Sequence, residues 1–171
     1  GTCARARHAG ALLQARSRNR VAQGITKIIS VTPLLNNNDA GVSGNLFSLT
    51  LGSVDNIRRF EENPDRLARA VPEIYALPEF SDRQVLSITD ALICQYEGNE
   101  RGLLHYSTVL NELRFSRDPV ALDVLSIKEL DKQRRAEHVS DLKPNLELYQ
   151  NATLLELGVS DLTRVSVETL K

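Results

Sequence analysis

Four carboxylates stand where this chain could do chemistry: Asp90, Glu97, Asp118 and Asp123. Asp90 follows a β-branched run, Glu97 opens a glycine-bracketed loop beyond it, and Asp118 and Asp123 fall at the start of a helix. In open α/β sheets ligands gather beyond the carboxyl ends of the strands. Parallel strands would bring Asp90, Glu97 and Asp118 to that edge, where carboxylates can share protons or hold a divalent cation. Asn38, Asp39, Asn45 and Asn99 lie in the neighbouring polar stretches and complete a candidate set for a small polar ligand. Ordinary loop residues explain the same spacing more simply.

Asp118 and Asp123 belong to the run Ser116-Arg117-Asp118-Pro119-Val120-Ala121-Leu122-Asp123. Asp before Pro marks a helix start: Asp accepts the first free N–H groups, and Pro at the first helical position has no N–H to leave unpaired. Capping therefore accounts for Asp118. Asp123 falls on the stripe of Val120, Val124, Ile127 and Leu130, so its carboxylate points inward. An inward Asp must be paired, hydrogen-bonded or neutralised. Two roles remain open for it: a clamp on a backbone turn or an Arg, and a ligand or general base with a raised pKa.

Positioning these groups requires a set of elements readable from pattern. Ile25 to Thr32 reads as a buried strand closed by Pro33 and the polar Asn36-Asn37-Asn38-Asp39. Glycines 41, 44 and 52 predict a loop that becomes a short helix around Asn45 to Leu51. A helix over Pro64–Ala76 is capped by Asn63 and stopped by Pro78. Val85 to Cys94 is a strand apolar enough to be covered on both faces. Val109 to Phe115 is a third, with Val109, Leu113 and Phe115 on one face and Glu112 and Arg114 on the other. A helix from Pro119 to about Glu137, a second from Asn145 to Leu157 ending at Gly158, and a last short strand over Arg164 to Glu168 complete the order. Alternation of strands and helices predicts an α/β domain with a mostly parallel sheet of about four strands flanked by helices.

At 171 residues and 42% hydrophobic content the chain can build one real core. That domain spans residues 21–171, after a basic arm over residues 1–20 carrying Arg5, Arg7, Arg16, Arg18 and Arg20. A formal charge of -1 argues against a nucleic-acid or membrane-surface protein. The arm lacks interleaved aromatics for base stacking and reads as an exposed segment. No apolar run approaches the roughly 18 residues of a membrane span. The opening Gly1-Thr2, without Met, reads as the start of a fragment. Cys3 and Cys94 have no metal or dithiol spacing, so no iron–sulfur cluster is expected, and Cys94 reads as a core residue. His8, His105 and His138 are scattered without metal-ligand spacing. Arg58-Arg59 and Arg134-Arg135 read as solvated faces or ion pairs. No Gly-x-Ser-x-Gly element supplies a hydrolase nucleophile.

The order of several short stretches resembles the domain of unknown function 362 family. They are Thr26 to Leu35, Ala40-Gly41-Val42-Ser43-Gly44-Asn45-Leu46, Gly52 to Asn56, Ile88-Thr89-Asp90-Ala91-Leu92, Glu97-Gly98-Asn99 and, most tellingly, Ser116 to Asp123. The resemblance covers roughly residues 20 to 170. It implies an α/β fold, an absent upstream region and a kinship with proteins that are often bacterial and exported, some with cluster cysteines, and with no general activity established. It also implies departures. Asn36-Asn37-Asn38 stands where relatives tend to carry Lys-Asp-His, and Phe47-Ser48 where they tend to carry Lys-Asn. The first exchange removes an ammonium and an imidazole suited to anion binding and proton transfer. The resemblance thus leaves two expectations: a ligand or cation site at the strand-end edge, or a non-catalytic binding or structural module.

Overall fold

A computed structural model describes residues 24–61, 63–99, 101–139 and 146–170. The basic arm with His8 and Cys3, and the Asn145 helix start, lie outside the described residues. Among the described residues four strands, β1 (Ile28–Asn37), β2 (Gly41–Val42), β3 (Gln84–Gln95) and β4 (Ser107–Ser116), form one sheet in the order β2-β1-β3-β4. The sheet is mixed. β1 and β3 run parallel, while β2 and β4 are antiparallel to their neighbours. This corrects the mostly parallel expectation. β4 follows β3 after a short connection containing a 3-10 turn at Leu104–Tyr106, too short for the crossover helix a parallel return needs.

Pro33 does not end β1. It sits beside a register shift between Pro33 and Leu34, where the missing N–H is tolerated, and the strand continues through Asn36 and Asn37. The described residues form six helices: α1 (Asn45–Leu51), α2 (Arg58–Glu61), α3 (Pro64–Tyr75), α4 (Pro78–Ser81), α5 (Pro119–Ala136) and α6 (Glu147–Leu154). Asn63 caps α3 by accepting the Asp65 and Arg66 N–H groups, as its sequence predicts. Pro78 opens α4 instead of merely stopping α3. Within α3, Pro72 cannot donate to the Ala68 carbonyl. Asn151 of α6 supplies the missing donor at 3.1 Å, so a defect in one helix becomes a tie to another.

Leu34, Leu46, Leu67, Val71, Phe80, Val120 and Leu130 form the buried centre between the sheet and the helices. α1 and α5 cover the face bearing Ser30, Thr32 and Leu34. The opposite face is open: Ile29, Val31, Val109, Leu113 and Phe115 are exposed on it. β3 is therefore covered on one face and not on both. Arg164 to Glu168 forms no strand; a 3-10 turn at Leu162–Arg164 is followed by chain without regular secondary structure. No helix among the described residues is long and apolar enough to cross a membrane.

Candidate functional site

α5 carries Asp123 into the gap beneath the N-terminus of α1. Gly44, the N-cap of α1, has no side chain to accept the helix's first N–H groups, and Asp123 does this from outside. Its Oδ1 accepts the Asn45 N–H at 2.8 Å and its Oδ2 the Leu46 N–H at 2.9 Å. The Asn45 side-chain amide adds a contact of 3.3 Å to Oδ1. A Cβ on residue 44 would collide with the carboxylate, so only glycine admits the clamp. Asp123 is fully buried, and burial raises its pKa from 3.8 to about 6 against the lowering effect of these hydrogen bonds, with the charge of Asp118 raising it further.

Asn45 is tied into the same buried cluster. Its Oδ1 accepts from Ser30 Oγ at 2.6 Å, and its Nδ2 reaches Thr89 Oγ1 at 3.3 Å. Gln84 Nε2 donates to Ser30 Oγ and Ser87 Oγ. The covered sheet face thus presents a row of hydroxyls to α1. Burial, and then the Asp123 and Asp118 charges, push the Tyr75 phenol well above its ordinary range.

Asp118 caps α5 with Oδ1, which accepts the Ala121 N–H at 2.9 Å, while Oδ2 accepts the Val159 N–H at 2.8 Å. It therefore joins the helix start to the C-terminal segment. Gly158 passes so close that a Cβ there would strike the Asp118 carboxylate. The glycine expected as a helix C-terminal residue is needed for this approach, α6 having ended at Leu154.

The strand-end edge is a separate place. There the C-terminal ends of the parallel β1 and β3 bring Asn36 and Asn38 to Asn99, with Asp39 and Glu97 next to them along the chain. Asn99 donates its backbone N–H to Asn36 Oδ1 at 3.1 Å and accepts the Asn38 N–H on Oδ1 at 3.0 Å. Asn37 Oδ1 accepts the N–H groups of Asp39 and Ala40 and shapes the turn into β2. Gly98 and Asn99 have φ of 104° and 53°, the left-handed backbone that lets the loop fold back onto these asparagines. Glu97 lies 3.7 Å from Arg134 Nε.

Asp118 does not reach this edge. Because β4 is antiparallel, Ser116 pairs with Ser87 near the start of β3, at the other end of the sheet from Glu97. Asp90 is not at a strand end either. It lies mid-strand, in register with Pro33 and Leu113 on the open face, and accepts the Leu92 N–H at 3.0 Å across a bulge. Of the carboxylate set, only Glu97 lies with Asn38, Asp39 and Asn99. No group of three or more His, Cys, Asp or Glu residues stands ready for a metal ion among the described residues.

Arg134 takes the ion-pair alternative of the two expected for it, with Asp131 and Glu97 as its carboxylate neighbours. It is 1% exposed and not part of a solvated face, with Nη1 3.1 Å from Asp131 Oδ1 and with Nε and Nη2 lacking hydrogen-bond partners among the described residues. Its position four residues after Leu130 on the buried stripe is the signal that could have found it. Cys94 lies in the same region. Burial, reinforced by Glu129 and opposed by Arg114 and Arg134, raises its thiol to about 12. No family model, curated protein or solved structure matches the chain.

Proposed function

We propose that this chain is a divergent member of the domain of unknown function 362 family that works as a non-catalytic binding or structural module. One observation carries the reading: each carboxylate oxygen of Asp118 and of Asp123 accepts a backbone N–H, so both groups are committed to holding the fold. The family's Lys-Asp-His position is occupied by asparagines whose side chains knit the loop to its neighbour. A base or nucleophile needs a lone pair directed at substrate, and these side chains direct theirs at the protein.

A second reading is favoured by the contact of Asn38 with Asn99 at the ends of two parallel strands, with Asp39 and Glu97 as chain neighbours: a site for a small polar ligand or a cation. Thermal-shift measurements with magnesium, manganese, calcium and zinc ions and with a panel of phosphorylated metabolites separate the two. A ligand held only by the native state at 100 times its Kd adds about 2.7 kcal/mol and must raise Tm. The module reading expects no rise. A rise that Glu97→Gln or Asn99→Ala abolishes would overturn it in favour of the ligand site.

A further inference from the structure

β4 reverses the ordinary sense of an amphipathic strand. Arg114 turns towards α5, within 3.5 Å of Glu129, while Val109, Leu113 and Phe115 face outwards. In register, Val31, Ile88 and Phe115 form one cross-strand row, Pro33, Asp90 and Leu113 the next, and Ile93 with Val109 a third. Ile29, Val31, Ile93, Val109, Leu113 and Phe115 are each between 53% and 65% exposed. Side chains of this size leave on the order of 600–700 Å² of apolar surface, at or above the largest patch of a typical monomer. A parallel pair such as β1 and β3 is ordinarily covered on both faces.

We infer that this face is a self-association surface on which two copies of the chain pack sheet against sheet. The area is close to the roughly 800 Å² that each partner contributes to a stable interface, with Phe115 as an aromatic anchor in a field of branched aliphatics. Two inner faces about 10 Å apart interdigitate their side chains, and each copy supplies the layer that the other lacks. A two-fold axis along the Val31–Ile88–Phe115 row sets Asp90 of one copy against Leu86 of the other, so the two carboxylates stay apart. The Asp90 charge opposes its own burial in such an interface. A basic partner would instead need that charge, and the two occupants therefore respond to its removal with opposite sign.

Sedimentation equilibrium of the full chain over roughly 1 to 100 µM tests the inference independently of any ligand panel. The expected result is a monomer–dimer equilibrium. Val31→Lys and Phe115→Lys, both at exposed positions, should raise the dissociation constant about tenfold or more with an unchanged far-UV circular dichroism spectrum. Asp90→Asn, which keeps an acceptor for the Leu92 N–H, should tighten the dimer. Leu154→Lys, on an exposed residue at the end of α6, should leave it unchanged. A monomer throughout, a dimer indifferent to both sheet lysines, or a dimer weakened by Asp90→Asn would each overturn the proposal.

Discussion

Asp123 accepts the Asn45 N–H at 2.8 Å across a sequence separation of 78 residues, so α5 supplies the cap that α1 does not encode for itself. Asp123→Ala leaves the Asn45 and Leu46 N–H groups buried without an acceptor. At the usual cost of such groups the variant should lose about 2–4 kcal/mol in urea unfolding. Asp123→Asn retains one acceptor oxygen and should lose less. Equal stability of Asp123→Ala and the parent would remove the clamp from the account of the fold.

The same carboxyl has a pH signature. Its pKa is about 6 in the folded chain against an ordinary 3.8, so the folded state holds the proton more tightly. The penalty of burying the charge is therefore in full force above about pH 6 and is relieved as pH falls towards 3.8. From this group alone, stability rises on acidification through that window by about 2 kcal/mol. Urea midpoints of the parent minus those of Asp123→Asn, taken from pH 7 to pH 4, isolate the effect from the other carboxylates. A difference that is flat, or that falls on acidification, contradicts it.

Gly44→Ala should be destabilising by about 1–3 kcal/mol, because the added methyl group collides with the Asp123 carboxylate. In an Asp123→Ala background the obstacle is gone and the cost should shrink. A double-mutant cycle measures this coupling directly. Additive costs would place the strain elsewhere.

Asp118→Ala removes the α5 cap and the tether to Val159 together. A cap of this type is worth about 1 kcal/mol. Its distinguishing effect is local: hydrogen exchange should quicken at the Ala121 and Val159 amides and remain unchanged at Asn45 and Leu46. Uniform quickening would mean that Asp118 acts only through global stability.

Cys94 is fully buried with its thiol pushed up to about 12, so little thiolate is available near neutral pH. Iodoacetamide at about pH 8 should leave the peptide carrying Cys94 unmodified in the native protein and alkylate it in urea. Mass spectrometry of the digested protein checks both states, and native-state labelling would show an accessible thiol.

Local chemistry determined much of this protein. The Asn63 cap before Pro64, the Asp118-Pro119 helix start and the inward position of Asp123 on its stripe each depend on near neighbours and backbone geometry, so they are legible in the chain. The alternation of Val109, Leu113 and Phe115 against Arg114 was legible too, but not which face lies inside, since period two is silent about direction. Only tertiary structure decided that the arginine turns under α5 and that the apolar row stays open. Strand direction was likewise beyond the pattern: the antiparallel course of β4 moved Asp118 away from Glu97 and dissolved the expected convergence of carboxylates. The partner of Asp123 was decided in the same way. Its N–H donors lie in a helix far away in sequence, and a hydrogen bond depends on closeness in space, which the chain acquires only by folding.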